Sequence, residues 1–221
     1  MERFNSYIKR WRSLVLLLLN SYLMKILKKN SLEPYKLFYK YFNQALKANQ
    51  PSYDAIAISS YDFLKKEISS RYVNLKYIDD KKWIFFSNYS SKKALDFDSH
   101  SQISALIYWN KIDIQIRMKA KINKTSKKFS DEHFNKRNFE KNVLAVSSSQ
   151  SKLTSSYEDV LQKYENNLNN LKKPLKRPDY WGGYVFVPYY FEFWKGHMSR
   201  LNKREVFEKI DDVWTRSFLQ P

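Results

Sequence analysis

The amino-acid sequence predicts a mainly β fold in which an antiparallel barrel is flanked by peripheral α-helices. Strand-like segments follow one another in adjacent pairs, and this order favours antiparallel pairing over a βαβ succession. Residues 184–194 are dense in β-branched and aromatic side chains, which suit a pleated, half-buried surface. Apolar and polar residues alternate from Ile112 to Lys121, so one face of that strand is expected in the core.

The composition limits the classes of function. A chain of 221 residues can bury one substantial core. The net charge of +18 would suit nucleic acid, a membrane surface or anionic small molecules as partners, although the lysines are spread along the whole chain. The absence of cysteine excludes disulfides and thiolate metal sites and fits a cytoplasmic protein. The histidines His100, His133 and His197 are scattered, so we expect no metal site.

Residues 1–30 are interpreted as an N-terminal extension. A basic segment at residues 9–12 precedes apolar residues 14–19, as in a secretory signal, but Asn20 interrupts the run and no small-residue cleavage site follows. The run is also shorter than the roughly 20 residues that span a bilayer, and no transmembrane segment is expected. We favour a helix packed on the protein or on a partner subunit. A membrane-surface helix and a true signal are the alternatives.

Residues 31–221 are expected to form one domain, which opens with a helix. Ser31 is the predicted N-cap, Glu33 and Pro34 occupy the first turn, and residues 49–51 end the helix. Its apolar stripe consists of Leu37, Phe38, Tyr41, Phe42, Ala45 and Leu46. Strands are predicted at 53–58, 71–78, 82–88, 101–109 and 112–122. Asp79 and Asp80 form a hairpin turn, and a short helix at 91–98 is capped by Ser90 or Ser91.

The second half of this domain begins with helical patterns at 130–147 and 154–171, followed by a linker at 172–178. The aromatic strand comes next, and short closing strands are marked by Val206 and Val213. Gly182, Gly183 and Gly196 are the three glycines of the chain and bracket the aromatic strand. Each is expected where φ is positive or where another group lies too close for a Cβ atom. Pro188, inside the strand, must lie at an edge or a bulge.

The cationic end of this stretch has two interpretations. Residues 200–204 are an ordinary solvated basic turn, or Arg200 and Arg204 join the Trp194 indole in a binding-site wall. The order W-G-G, E-F-W and R-L-x-x-R, read from Trp181 to Arg204, resembles the C-terminal part of the pyridoxine/pyridoxamine 5′-phosphate oxidases. That family consists of dimeric FMN enzymes with a split β-barrel fold. The resemblance therefore implies an FMN-binding split barrel here.

Two further motifs extend the resemblance. The segment R-Y-V-N-L-K from Arg71 to Lys76 is similar to the family's R-x-V-x-L-K, and residues 86–94 are similar to Y-T-N-x-x-S-R-K-A. A dianionic phosphate needs several donors, which these side chains and the amides of a helix N-terminus can supply. The resemblance implies that the FMN phosphate is held by Arg71, Ser87, Lys92 and Lys93. It also implies cofactor contacts from Tyr72, Val73, Asn74 and Phe86.

The flavin ring has its own set of implied contacts. W-N-K-I-D-I-Q from Trp109 to Gln115 resembles W-x-x-L-x-R-Q, although Ile114 replaces the usual arginine. Residues 147–151 resemble S-x-Q-S, and from the residues alone they would be an ordinary serine-rich loop. The implied flavin contacts are Gln115, Gln150, Ser151, Trp194 and Arg204.

The implied substrate residues depart from the family pattern. Lys76 and the motif Y-x-x-x-R-x-x-x-S, which here is His133, Arg137 and Lys141, would bind the substrate phosphate. Their i, i+4, i+8 spacing predicts one helical face. The R-x-H motif, which touches the substrate ring, is Arg200 and Asn202 in this chain. Asparagine forms hydrogen bonds but cannot carry a proton at neutral pH as imidazole can.

The matches cover about residues 31–221 in order and imply an enzyme that oxidises pyridoxamine or pyridoxine 5′-phosphate to pyridoxal 5′-phosphate. O2 is the acceptor, H2O2 a product, and a homodimer with FMN at the subunit interface is expected. One alternative is an FMN enzyme acting on another anionic substrate, as in the phenazine pathway. Others are a non-catalytic flavin- or vitamer-binding protein and a nucleic-acid-binding protein. The last is disfavoured because the aromatic residues fall on strand positions expected to be buried.

Overall fold

The computed structural model describes residues 24–221, and most of the predicted N-terminal extension, residues 1–23, lies outside them. The described part is mainly β. Its strands are β1 Lys25–Lys28, β2 Ala55–Asp62, β3 Glu67–Asn74, β4 Tyr77–Asp79, β5 Lys82–Asn88, β6 Gln102–Trp109, β7 Ile114–Lys124, β8 Trp181–Lys195, β9 Lys203–Ile210 and β10 Val213–Leu219. Its helices are α1 Glu33–Lys47, α2 Lys92–Ser99, α3 Lys127–Lys136, α4 Phe139–Ser147 and α5 Tyr157–Asn170.

All ten strands belong to one sheet, in the order β1-β4-β5-β8-β7-β6-β2-β3, with β9 pairing with both β8 and β10. Every pair is antiparallel except β1 with β4. The predicted antiparallel, mainly β fold is therefore confirmed, with one parallel edge pair added. No strand was expected at residues 25–28, which the sequence interpretation placed in the extension.

The long strand β8 connects most of this sheet. It pairs with β5 through its first half, with β7 along nearly its whole length and with β9 through its second half. The register with β7 shifts where Lys119 faces Tyr190 and Ala120 faces Pro188. Pro188 therefore lies at a β-bulge, as predicted from its missing N–H.

The paired glycines at the start of β8 are explained by close contacts. No glycine of the described chain has a positive φ, so of the two reasons predicted for these glycines, the close approach of another group is the one that applies. A Cβ atom on Gly182 would collide with the Tyr89 hydroxyl, and one on Gly183 would lie 2.5 Å from Oγ1 of Thr125. The strand thus passes against neighbouring side chains with no room for its own.

Helix α1 covers the core of the barrel. Phe38 is fully buried and its ring lies 4.5 Å from Trp83 and 5.8 Å from Trp109. The predicted stripe is buried except at Leu37, which is half-buried, and Leu46, which is exposed. The prediction that Ser31 is the N-cap of this helix was wrong. The N-cap is Leu32, whose N–H donates to the Asn30 side chain, because the chain turns one residue later than the capping pattern suggested.

The predicted strand 71–78 is two strands. Between β3 and β4 the backbone changes partners, since the N–H of Leu75 donates to the carbonyl of Asp54 and that of Lys76 to the carbonyl of Ile84. β3 thus remains beside β2 while β4 forms the predicted hairpin with β5. The short helix α2 confirms the helix predicted at 91–98, with Ser91 at its N-cap.

The predicted helix 130–147 is also interrupted. Arg137 ends α3 in an extended conformation, and the Asn138 side chain accepts from the N–H groups of Glu140 and Lys141 to cap α4. An asparagine cap of this kind competes with continuation of a helix. His133, Arg137 and Lys141 therefore do not share one continuous helical face. Within residues 24–221, no helix is both long and apolar enough to cross a membrane.

Candidate functional site

Two adjoining cavities, of about 350 and 250 Å³, form one cleft between β5, the start of β8 and the junction of α3 with α4. Both are lined by Phe86, Arg137, Lys141, Leu144 and Trp181. The larger adds Asn74, Lys76, His133 and Asn138, and the smaller adds Ser87, Asn88, Ala145, Ser148 and Gln150. The α3–α4 break thus delivers His133, Arg137 and Lys141 to one place from two helices.

One wall of the cleft is aromatic. The ring of Phe86 stacks on His133 at 3.6 Å between centroids and on Trp181 at 5.4 Å. The guanidinium carbon of Arg137 lies 4.5 Å from the centre of the Trp181 ring system, a cation–π contact. A flat, electron-rich wall next to fixed cations suits a planar ligand that carries an anionic group.

The cations of the cleft are crowded. Lys76 Nζ lies 3.3 Å from the Asp54 carboxylate, and Arg137 donates to the Asn142 side chain at 3.2 Å. Burial lowers the pKa of Arg137 to about 10. Burial first, and then the charges of Lys76 and Arg137, lowers the pKa of Lys141. An anion bound among these groups would relieve their mutual repulsion.

A second group of predicted residues lies along α2, with Lys93 at its N-terminus and Arg71 beside Asp96 one turn further on. Arg71 donates to Oγ of Ser60 at 2.6 Å and lies 3.7 Å from the buried carboxylate of Asp96. Lys93 donates to Oγ of Ser91 at 3.2 Å. Burial, and then the charge of Arg71, lowers the pKa of Lys93 to about 8. Two cations next to a hydroxyl and the amides of a helix N-terminus form an arrangement suited to a phosphate.

The other predicted phosphate residues lie around this group. Ser87 is buried and donates to Oε1 of Gln150 at 3.2 Å. The same oxygen accepts from the N–H of Asn88, so the loop that carries Gln150 is held against the end of β5. Lys92 is half-exposed and lies 3.9 Å from Glu67. Ser151, beside Gln150, has a φ of 68°.

A third group lies across β7, β8 and β9. Gln115 faces Trp194, and Trp194 faces Arg204 in the strand register. Nε of Arg204 donates to Oε1 of Glu192 at 2.9 Å, and Nη2 of Arg204 lies 2.8 Å from the same Oε1 atom. Arg117 binds the other oxygen of Glu192 at 2.9 Å. Glu192 is 2% exposed, so Arg204 is held by a buried carboxylate.

Arg200 and Asn202 lie in the turn after β8, and neither lines the cleft. Oδ1 of Asn202 accepts from the N–H of His197 at 3.1 Å, and Arg200 is exposed with a φ of 59°. Trp181 lies at the other end of β8, and the 15 residues of that strand, a contour of about 50 Å at roughly 3.3 Å per residue, separate it from this turn. Within one chain, Arg200 and Asn202 therefore follow the opposite end of β8 from the end that borders the cleft.

Three motif positions of β3 differ in environment. Asn74 lines the cleft, Val73 is half-buried against the core, and Tyr72 is 74% exposed. Tyr72 lies opposite Ala57 on β2. The strand motif therefore contributes one residue to the cleft and leaves one aromatic side chain on the surface.

Known proteins resemble the chain over most of its length. Residues 181–221 match the family model described as the pyridoxine 5′-phosphate oxidase C-terminal dimerisation region. A pyridoxine/pyridoxamine 5′-phosphate oxidase of Neisseria meningitidis serogroup B is 30% identical over 190 residues, covering 85% of this chain and 89% of the relative. One from Cytophaga hutchinsonii is 36% identical over 184 residues, covering 81% and 84%. The chain belongs to the pyridoxine/pyridoxamine 5′-phosphate oxidase family.

Solved structures confirm the split-barrel fold of this oxidase family member. PhzG from Burkholderia lata 383, in complex with tetrahydrophenazine-1-carboxylic acid, has a TM-score of 0.80 at 23% identity and covers 88% of this chain and 100% of its own. A pyridoxamine 5′-phosphate oxidase-related, FMN binding protein from Nostoc punctiforme has a TM-score of 0.70 at 10% identity, covering 86% and 99%. At these identities the likeness concerns the fold.

Several residues of the site in this member of the oxidase family were not predicted from the sequence. Trp181 was noted within W-G-G but not as part of the cleft, although a tryptophan before two glycines was a usable signal. Asp96 and Ser60, which hold Arg71, and Tyr77, which contacts His133, carry no motif. Nothing in local sequence indicates such partners, because each lies on a different element from the side chain it holds.

Proposed function

We propose that this protein is an FMN-dependent oxidase that converts pyridoxamine or pyridoxine 5′-phosphate to pyridoxal 5′-phosphate, with O2 as acceptor and H2O2 as product. The observation that carries the proposal is the cleft, in which Lys76, Arg137 and Lys141 lie beside the aromatic wall of Phe86 and Trp181. Membership of the oxidase family supports the same reaction. A cytoplasmic location, expected from the lack of cysteine, belongs to the same proposal.

FMN fits the residues that are present. Arg71 and Lys93 would hold its phosphate with help from Ser87 and Lys92, and a bound phosphate would offset the burial and the charge of Arg71 that lower the pKa of Lys93. Gln115, Gln150, Ser151, Trp194 and Arg204 would contact the ring. The redox chemistry is supplied by the bound flavin. The protein would contribute orientation and exclude water, and no side chain need be a strong base.

The substrate phosphate would be bound by Lys76, Arg137 and Lys141, with His133 beside them. Each charge-assisted hydrogen bond to a phosphate contributes roughly 1.5–3 kcal/mol, so three fixed cations can anchor a phosphorylated vitamer. The aromatic wall would set the tilt of its pyridine ring. Arg200 would orient the substrate near the reacting carbon, and Asn202 would form a hydrogen bond to a ring substituent.

The site is proposed to be completed in a homodimer. Arg200, Asn202 and Arg204 lie in the part of the chain that matches the dimerisation region, residues 181–221. The cleft borders Trp181, at the other end of β8 within that same region. A two-fold axis that pairs these surfaces would bring the turn of one subunit to the cleft of the other. FMN would then bind at the interface, with residues from both subunits.

A second candidate is an FMN enzyme of the same fold that acts on a different anionic substrate. The observations in its favour are His133, Lys141 and Asn202, which differ from the family motifs, together with the large cationic cleft. In this candidate the three cations would bind another anionic group. A flavin- or vitamer-binding protein without turnover is the remaining possibility within the same site.

The test is the absorption spectrum of the purified protein loaded with FMN. Adding pyridoxamine 5′-phosphate under nitrogen should bleach the flavin band, and admitting air should restore it with one H2O2 formed per turnover. Unphosphorylated pyridoxamine is the matched control and should react far more slowly. A protein that takes up no FMN refutes both enzyme candidates. If the protein binds FMN but neither pyridoxamine 5′-phosphate nor pyridoxine 5′-phosphate bleaches the flavin band, only the first candidate is refuted.

A further inference from the structure

Tyr77 and His133 form a contact between the sheet and the helix that borders the cleft. Oη of Tyr77 lies 2.8 Å from Nδ1 of His133, and the two rings meet edge to face at 5.4 Å. Tyr77 is itself fixed on β4 by pairing with Lys25 on one side and Ile84 on the other. The backbone that carries the phenol is therefore held in place by the sheet, independently of any ligand in the cleft.

The orientation of the His133 ring is fixed by two contacts. Phe86 stacks on it with an angle of 10° between the planes, and a ring flip would move Nδ1 away from the Tyr77 hydroxyl. His133 lines the cleft, whereas Tyr77 is not among its lining residues. The nitrogen available to a ligand is therefore Nε2, on the edge of the imidazole away from Tyr77.

His133 is neutral in this environment. Burial first, and then the charges of Arg137, Lys76, Lys136 and Lys25, lowers the pKa of His133 to about 3. A neutral imidazole carries one N–H, and its other nitrogen accepts a hydrogen bond. Burial raises the pKa of Tyr77, so its hydroxyl keeps a proton that it can donate.

We propose that Tyr77 is a positioning residue: its hydroxyl donates to Nδ1 of His133 and so holds the proton on Nε2, where a neutral imidazole donates to the anionic group of the ligand. With the opposite tautomer, a lone pair on Nε2 would face the anion. A neutral donor adds a hydrogen bond without a fourth positive charge beside Lys76, Arg137 and Lys141. That the anion is a vitamer phosphate rests on the proposed function, whereas the tautomer does not.

The tautomer can be read by ¹⁵N NMR of the full-length protein as purified, labelled at histidine. The chain has three histidines, and His133→Gln identifies the signal of interest. Between about pH 6 and 8, His133 should show a protonated Nε2 and an unprotonated Nδ1. Tyr77→Phe keeps the ring but removes the hydroxyl. In this variant the two tautomers of His133 should exchange, and the ¹⁵N chemical shifts of Nδ1 and Nε2 should converge. A protonated Nδ1 in wild type, or an unchanged tautomer in Tyr77→Phe, overturns the proposal.

Inorganic phosphate tests the contact with an anion. Its titration should shift the Nε2 signal of His133, and Tyr77→Phe should weaken phosphate binding by about three- to tenfold. His133→Gln, which can donate from a similar position, should retain more affinity than His133→Leu. Tyr157→Phe, at an exposed site on α5, is the matched control and should change nothing. An Nε2 signal unmoved by saturating phosphate overturns the donor role. None of these readouts needs turnover, so a failure of the proposed reaction is distinguished from a failure of this proposal.

Discussion

The guanidinium of Arg71 lies 3.7 Å from the carboxylate of Asp96, and the hydroxyl of Ser60 bridges them, accepting from Arg71 at 2.6 Å and donating to Asp96 at 2.5 Å. Asp96 and Ser60 are buried. Arg71 is therefore held beside α2 in a fixed orientation, and little conformational entropy is lost when it binds an anion.

Replacing Arg71 should weaken FMN binding. Arg71→Ala removes a charge-assisted donor, and we expect at least a tenfold rise in Kd, since about 1.4 kcal/mol corresponds to that factor. Fluorescence titration of the flavin measures it. The Kd of Arg71→Lys for FMN should lie between those of wild type and Arg71→Ala, because lysine keeps the charge but loses the forked pair of donors. Lys47→Ala, an exposed cation at the end of α1, is the control. Equal FMN affinity in Arg71→Ala and wild type would remove the phosphate assignment.

FMN affinity should fall as the pH rises above about 8. Burial and the charge of Arg71 lower the pKa of Lys93 to about 8, so at higher pH the FMN-free protein has lost a proton that phosphate binding must restore. The dependence should approach tenfold in Kd per pH unit, by linkage. Titrations from about pH 7 to 10 would show it. Lys93→Arg should flatten the profile, and a wild-type Kd that is constant over this range would contradict the prediction.

Lys93 should also make the stability of the FMN-free protein depend on pH, in the direction opposite to that of FMN affinity. The folded-state pKa of Lys93 lies below its ordinary value of 10.5, so between about pH 8 and 10.5 the unfolded chain binds more protons and the free energy of unfolding rises with pH. Below about pH 8 the full cost of the buried charge is present. Lys93→Met should therefore raise the Tm of the FMN-free protein at pH 7 while weakening FMN binding. A lower Tm at pH 7 would indicate a structural role for the ammonium group.

Mixing two inactive variants should restore activity if the site contains residues from both subunits. Lys76→Ala damages the cleft and Arg200→Ala damages the turn after β8. After co-refolding, half of the dimers are mixed and one of the two sites in each is intact, so about a quarter of wild-type turnover is expected. Light scattering should show a dimer throughout. No recovery in verified mixed dimers, or an FMN-loaded monomer, would refute a shared site.

Asn202→His should raise kcat/KM for pyridoxamine 5′-phosphate by about tenfold or less, because a neutral hydrogen bond is worth about 0.5–1.5 kcal/mol. FMN affinity should stay unchanged, and Arg200→Ala should be far more damaging, since orientation rather than proton transfer is the main requirement. Steady-state kinetics with both vitamers measures these effects. If wild type turns over neither vitamer and Asn202→His restores neither, the other-substrate candidate is favoured.

The sequence by itself determined the elements whose signal is local. The alternation in residues 112–122 predicted the buried face of β7, and Pro188 predicted the bulge in β8. The motifs at residues 71–76, 86–94 and 181–204 indicated the family before any geometry was known. These predictions succeed because the period of side-chain burial and the missing N–H of proline act within a few residues.

Only the tertiary structure decided how these parts meet. It split the predicted strand at Leu75 and the predicted helix at Arg137, and it placed Tyr77 against His133. Burial periodicity records whether a side chain faces the core but carries no information about which distant residue it meets. The choice of partner is made by the packing of the whole sheet, where backbone hydrogen bonds and excluded volume override a continuous local pattern. The cleft exists for the same reason: its cations come from different elements that only the folded barrel brings together.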